Sequence, residues 1–139
     1  MKFLIGDIGN TSTKICILNN KFKILESYHF ETTKMYKKNI LKKVIKKSSN
    51  KDLNTIFLFS SVVPRVFRDI KERFKLTKYK ILEIKDLNLK KIIKINVKNR
   101  NQIGSDRIAN AIIAKKFENC LVLDFGTATT FDVIKNGVY

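Results

Sequence analysis

Two hairpins written in nearly the same residues constrain this chain more than anything else in it. Leu4-Ile5-Gly6-Asp7-Ile8-Gly9-Asn10-Thr11-Ser12-Thr13 and Leu121-Val122-Leu123-Asp124-Phe125-Gly126-Thr127-Ala128-Thr129-Thr130 share one plan. An apolar strand runs into Asp-x-Gly, then small hydroxyl-bearing residues, then a second apolar strand. Such a turn offers a carboxylate for a cation and a backbone that a phosphate can approach closely. Two of them facing each other would grip a polyphosphate and its metal from both sides, which points to nucleotide chemistry.

The pattern around the hairpins predicts an α/β chain. Residues 3–7 and 13–19 read as the first two strands, and 23–30 as a third that alternates in part. Met35, Ile40, Leu41, Val44 and Ile45 fall at helical spacing up to Lys47, and Ser48-Ser49-Asn50 closes that helix. Ile56-Phe57-Leu58-Phe59 is a continuous apolar run, as in a buried parallel strand. Ser60-Ser61 and Pro64 then open a helix with Val66, Phe67, Ile70 and Phe74 on one face. Residues 80–84 read as a strand, whereas Leu87 to Val97 has no clear pattern. Gly104-Ser105-Asp106 introduces a helix over 107–117, with Ser105 or Asp106 as N-cap. Its stripe is Ile108, Ala111 and Ile112, with Lys115 a candidate for the same line. The order is β-β-β-α-β-α-β-α, a mixed sheet with helices, followed by a new β-β unit. That unit suggests a second domain cut short after the Asn136-Gly137 turn; the alternative is that 120–139 add strands to the first sheet.

Composition narrows the class. The 139 residues are 44% hydrophobic, within the range of one globular domain. No apolar run approaches the roughly 20 residues of a bilayer span, and Phe3-Leu4-Ile5 leads into Gly6-Asp7 rather than a signal peptide, so a cytoplasmic location is expected. The net charge of +17 comes mostly from Lys among abundant Ile and Asn, a trio that an AT-rich genome favours. Arg, the better residue for forked phosphate contacts, stands only at Arg65, Arg68, Arg73, Arg100 and Arg107. Solubility is thus the leading reading of the charge, and a basic nucleic-acid-binding protein the lesser alternative. Cys16 and Cys120 lie in apolar strands without metal or redox spacing and are expected as buried free thiols. His29 is the sole histidine, an ordinary strand residue, so no Ser-His or His-rich zinc site can be assembled.

The candidate sites follow. Residues Asp7, Ile8, Gly9, Asn10, Thr11, Ser12, Thr13 and Lys14 make the first phosphate loop, and Asp124, Gly126, Thr127, Thr129 and Thr130 repeat it. Gly104-Ser105-Asp106-Arg107 stands at a helix start, where free N–H groups favour anions. There an Asp beside an Arg can combine a general base with an anion clamp, or be a plain cap beside a solvated Arg. Ser60-Ser61-Val62-Val63-Pro64-Arg65 ends a strand at the edge where open α/β sheets place ligands, or is only a strand-to-helix loop.

Asp7-Ile8-Gly9-Asn10-Thr11-Ser12-Thr13-Lys14, Ser60-Ser61-Val62-Val63-Pro64, Gly104-Ser105-Asp106-Arg107-Ile108-Ala109-Asn110-Ala111 and Asp124-Phe125-Gly126-Thr127-Ala128-Thr129-Thr130 occur in that order. Together they resemble the type III pantothenate kinases, within the actin/hexokinase/Hsp70-like superfamily. The resemblance implies a ribonuclease H-like mixed sheet with helices on its faces, residues 1–118 as the first domain, and 119–139 as the opening hairpin of a second. It implies ATP-dependent phosphorylation of pantothenate, the first step of coenzyme A biosynthesis, in a homodimer. Residues 7–14 would hold ATP and its Mg2+, with Asp7 near the metal–phosphate centre, and Thr127 would touch ATP. Gly104, Ser105, Asp106 and Arg107 would contact pantothenate, with Asp106 as general base. Asp124 would bind a monovalent cation, K+ or NH4+. The chain departs from the family where an aromatic pantothenate contact is usual, here Val97, and where Asn-Pro commonly follows, here Asn99-Arg100. Ser105 replaces the commoner Ala. The family's second domain is largely missing, so a weakly active or inactive piece is expected. The competing reading is a non-catalytic nucleotide-binding or regulatory module of the same fold.

Overall fold

The computed structural model describes residues 1–36, 40–47 and 53–139. They form two compact units, Met1–Glu83 and Ile84–Tyr139.

The first unit is built on a five-stranded mixed sheet. Strands β1 (Lys2–Ile8), β2 (Ser12–Leu18), β3 (Ile24–Glu31), β4 (Leu53–Ser61) and β5 (Lys80–Glu83) lie in the order β3-β2-β1-β4-β5. The first three form an antiparallel meander, while β4 runs parallel to β1 and β5 parallel to β4. The meander follows from short turns, and the parallel strands from helical crossovers, since a parallel pair cannot be joined by a hairpin. The crossovers are α1 (Ile40–Lys47) and α2 (Pro64–Phe74). Pro64 occupies the first turn of α2, where its missing N–H costs nothing. The Ser61 hydroxyl accepts the Val63 N–H at 3.2 Å just ahead of it. Met35 falls in a short 3-10 turn, Thr32–Tyr36, ahead of α1, so the helix starts later than its apolar spacing suggests. The expected close at Ser48-Ser49-Asn50 lies outside the described residues.

One continuous core holds this unit together. Leu4 and Ile8 of β1, Ile15 and Ile17 of β2, and Phe57 and Phe59 of β4 meet Leu41, Val44 and Ile45 of α1 and Val66, Phe67, Ile70 and Phe74 of α2. All four apolar residues expected on the face of α2 are buried. Phe57 stacks on Tyr79 with centroids 4.6 Å apart. His29 is, as expected, a strand residue, paired with Lys14.

The second unit has less regular structure. The stretch from Leu87 to Val97, patternless in sequence, holds a single helical turn, α3 (Leu89–Ile92), and an isolated bridge at Lys94. Then come α4 (Ser105–Ala114), a 3-10 turn, and the hairpin β6 (Cys120–Phe125) and β7 (Thr129–Ile134). That hairpin forms a two-stranded sheet. Asn136 and Gly137 both have positive φ, 50° and 69°, and close the Lys135–Val138 turn in the manner expected of an Asn-Gly pair. The core gathers Ile93, Ile95, Ile103, Ile108, Ala111, Ala114, Ile134 and Tyr139.

Three details of this unit differ from expectation. Gly104, extended at ψ 148°, is the N-cap of α4, and no side chain caps it. Ser105 is instead fully buried, and the Asp106 carboxylate turns to its neighbour's N–H. Lys115 leaves the buried stripe for the 3-10 turn, and Ala114 takes its place. Both cysteines are free, but only Cys16 is buried; Cys120 is half-buried with its thiol 3.6 Å from the Ala114 carbonyl.

Candidate active site

The first loop sits on the β1–β2 turn and is braced from two sides. Gly9 N–H donates to the Ser12 carbonyl at 3.0 Å, closing the turn. A Cβ at Gly9 would sit 3.0 Å from that same oxygen, so only glycine fits comfortably. Thr32 reaches in from the end of β3: its hydroxyl donates to the Gly9 carbonyl at 2.6 Å, and its N–H to the Thr11 carbonyl at 2.9 Å. Its Oγ1 also lies 3.0 Å from Oγ1 of Thr13. From β4, Val62 N–H donates to the Ile8 carbonyl at 3.0 Å.

The expected loop residues divide accordingly. Asp7, Asn10, Thr11, Ser12 and Lys14 are exposed, and Gly9 is half-buried. Ile8 and Thr13 are fully buried, so they shape the loop from beneath rather than present side chains to a ligand. In the parallel ladder Ser60 stands beside Asp7 and Ser61 beside Ile8, at the carboxyl ends of their strands. Ser60 Oγ is buried without a hydrogen-bond partner among the described residues.

In the second unit, α4 carries Asp106 and Arg107 in its first turn. Asp106 Oδ1 accepts the Arg107 backbone N–H at 2.8 Å. The Arg107 side chain reaches across to β7: Nε and Nη2 both lie 2.6 Å from Asp132 Oδ1, and Nη2 donates to the Phe131 carbonyl at 2.9 Å. Tyr139 donates its hydroxyl to the same Asp132 oxygen at 2.6 Å. Desolvation works against the charged guanidinium, but the Asp132 hydrogen bond and charge outweigh it and raise the Arg107 pKa. Burial, followed by the Asp132 hydrogen bond and charge, pushes the Tyr139 phenol up to about 12. Beside this cluster lies a cavity of about 600 Å³ lined by Val97, Asn99, Gln102, Arg107, Phe131 and Tyr139. Val97, at the departed aromatic position, is therefore a wall of that cavity.

Asp124, next to last in β6, is half-buried, with Asn110 Nδ2 of α4 at 3.5 Å from its Oδ2. Gly126 and Thr127 beyond it are exposed. Among the described residues no group of three His, Cys, Asp or Glu side chains could hold a metal ion. One carboxylate at a turn of small residues suits a hard, oxygen-seeking cation and not a transition metal.

Asp132 and Tyr139, gathered around the Arg107 side chain, are residues that the sequence pattern leaves unnoticed. A signal was there: Asp132 shares the strand face of Ile134, the buried one, and a carboxylate placed inward demands a partner. It was masked because Phe131 and Val133 make the other face apolar too.

A five-stranded mixed sheet with helical crossovers, joined in sequence to an Asp-Arg pair at a helix start, defines the class as α/β. A solved structure of a candidate N-acetylmannosamine kinase from Listeria monocytogenes shares that fold, with TM-score 0.51 and 16% identity over 99% of this chain and 48% of its own. The family model for type III pantothenate kinase matches residues 3–139, and the chain belongs to that family. It is 48% identical to the type III pantothenate kinase of Pelagibacter ubique over 98% of this chain and 55% of that protein. With the type III pantothenate kinase of Kosmotoga olearia it shares 33% identity, over 98% of this chain and 54% of that one. The chain thus spans about half the length of the curated relatives it matches.

Proposed function

We propose that the protein transfers the γ-phosphoryl group of ATP to the primary hydroxyl of pantothenate, the first step of coenzyme A biosynthesis. The observation that carries the reading is the Asp106–Arg107 pair at the start of α4, in a chain of this family. Asp106 Oδ1 is engaged by the Arg107 N–H, which fixes the carboxylate and leaves Oδ2 to accept the substrate hydroxyl's proton. The hydroxyl oxygen then forms its bond to the γ-phosphorus as the bond to the bridging oxygen breaks and ADP leaves. Such transfers depend on positioning and charge neutralisation more than on covalent chemistry. Arg107 supplies a cation for the substrate's acidic end, and Gly104 and Ser105 bring the helix N-terminus beside it.

Residues 7–14 would bind ATP, with exposed Asp7 toward Mg2+, which offsets phosphate charge when bound. Thr127 would touch ATP, and Asp124 would hold K+ or NH4+. The sheet order β3-β2-β1-β4-β5 supports a ribonuclease H-like topology for the first unit, which we read as part of a first domain over 1–118. The exposed apolar side chains Leu121, Leu123, Phe125, Phe131 and Val133 on one face of the β6–β7 hairpin support reading 119–139 as the start of a second. No helix among the described residues is long and apolar enough to cross a membrane. A cytoplasmic homodimer is the assembly we infer for the full-length protein.

Asp106→Asn in the full-length protein tests the base. It should lower kcat by roughly a hundred- to ten-thousand-fold with the ATP KM little changed. Undiminished turnover would refute the assignment.

A further inference from the structure

Arg107 is held by a device that folding alone does not require. Asp132 is fully buried, yet its Oδ1 collects three donors: Arg107 Nε, Arg107 Nη2 and the Tyr139 hydroxyl, each at 2.6 Å. Its Oδ2 is buried with no hydrogen-bond partner among the described residues. A buried ion pair is a poor source of stability, because desolvation consumes most of the Coulombic gain; an orphaned carboxylate oxygen makes it poorer still. What the arrangement does provide is orientation. Two guanidinium nitrogens are pinned to one oxygen, and Nη2 is tied again to the Phe131 carbonyl. Among the described residues Nη1 makes no hydrogen bond or ion pair beside these. The side chain remains 37% exposed and lines the cavity beside Val97 and Gln102.

We propose that Asp132, backed by Tyr139, is the positioning residue for Arg107 and thereby sets affinity for the acidic end of the acceptor substrate. The inference rests on the pantothenate reading above and adds to it a residue that does not itself touch substrate. It separates two effects of Asp132: its bond to Arg107 matters to a substrate carrying a carboxylate and is irrelevant to one that lacks it.

The test is a double-mutant cycle in the full-length protein with pantothenate and with pantothenol, its uncharged alcohol analogue. Asp132→Ala should raise the pantothenate KM roughly ten- to a hundred-fold, the range for losing a charge-assisted hydrogen bond. The ATP KM and the kcat/KM for pantothenol should stay within about two-fold. In an Arg107→Ala background the same change should have little further effect, because the coupling runs through Arg107. If the alanine variant does not fold, Asp132→Asn keeps the shape and one acceptor oxygen and should show the same split more weakly. An unchanged pantothenate KM, or an equal penalty with Arg107 already removed, overturns the inference while the kinase reading stands. Wild-type protein that leaves pantothenate unphosphorylated overturns both.

Discussion

Gly6 shows how much a single position in β1 carries. A Cβ there would lie 2.3 Å from the ring of Phe59, which is itself fully buried on the neighbouring parallel strand. Neither side can yield without disturbing the central strand pair. Gly6→Ala should therefore cost about 1–3 kcal/mol, the usual range for overpacking, read as a lower urea midpoint. A midpoint equal to wild type would mean the ring moves freely. Tyr139 supplies a second prediction at this scale. Its phenol keeps its proton up to about 12 when folded, against 10.0 for the ordinary group. The native state thus holds a proton that the unfolded chain has lost, so its stabilising contribution is full below pH 10 and declines as pH rises toward 12. Tyr139→Phe should flatten that part of the stability profile in parallel urea titrations; identical slopes would contradict it. At the residue scale, a candidate site was legible where polar residues are concentrated in a short string, as at Asp106 and Arg107 in the first turn of α4. Asp132 was not legible in this way, because its partners come from α4 and from Tyr139, and no local spacing encodes that meeting.

At the scale of elements, the first hairpin turn depends on a strand end far from it in sequence. Thr32, buried at the close of β3, bonds the Gly9 carbonyl and faces Thr13. Thr32→Val should cost about 1–3 kcal/mol, because the Thr13 hydroxyl and a backbone carbonyl lose their partner, and should weaken ATP binding by loosening the loop. Adding Thr13→Val should cost less than a second such penalty, since removing both polar partners spares the burial of an orphan. Calorimetry with ATP and thermal melts of the single and double variants check both points; strictly additive losses would show that the two hydroxyls are independent. The elements themselves were readable from period and punctuation: the apolar strands flanking the first Asp-x-Gly turn, the partial alternation of β3, the apolar run of β4, the face of α2 and the Asn-Gly turn. Boundaries and caps were less so. The cap of α4 is Gly104 because burial of Ser105 and the turn of Asp106 toward Arg107 withdraw both hydrogen-bonding side chains from capping. The stretch 87–97 stayed unread because a single helical turn and an isolated bridge carry too few residues to show a period.

For the molecule as a whole, the two units pose different physical problems. The first closes a core on both helices, with Phe57 and Phe59 at 0% exposure. The second leaves Leu121, Leu123, Phe125, Phe131 and Val133 exposed on one face of its hairpin. A strand apolar on both faces reads in sequence as one buried on both sides, which is why the repeated hairpin was legible as an element while its surroundings were not. The most direct measurement is phosphopantothenate formation by the full-length protein from ATP and pantothenate, followed with and without K+ or NH4+. The account predicts ATP-dependent product that requires the monovalent cation. Nucleotide binding with no phosphorylated pantothenate under either condition would contradict it, and would leave a binding module in place of a kinase.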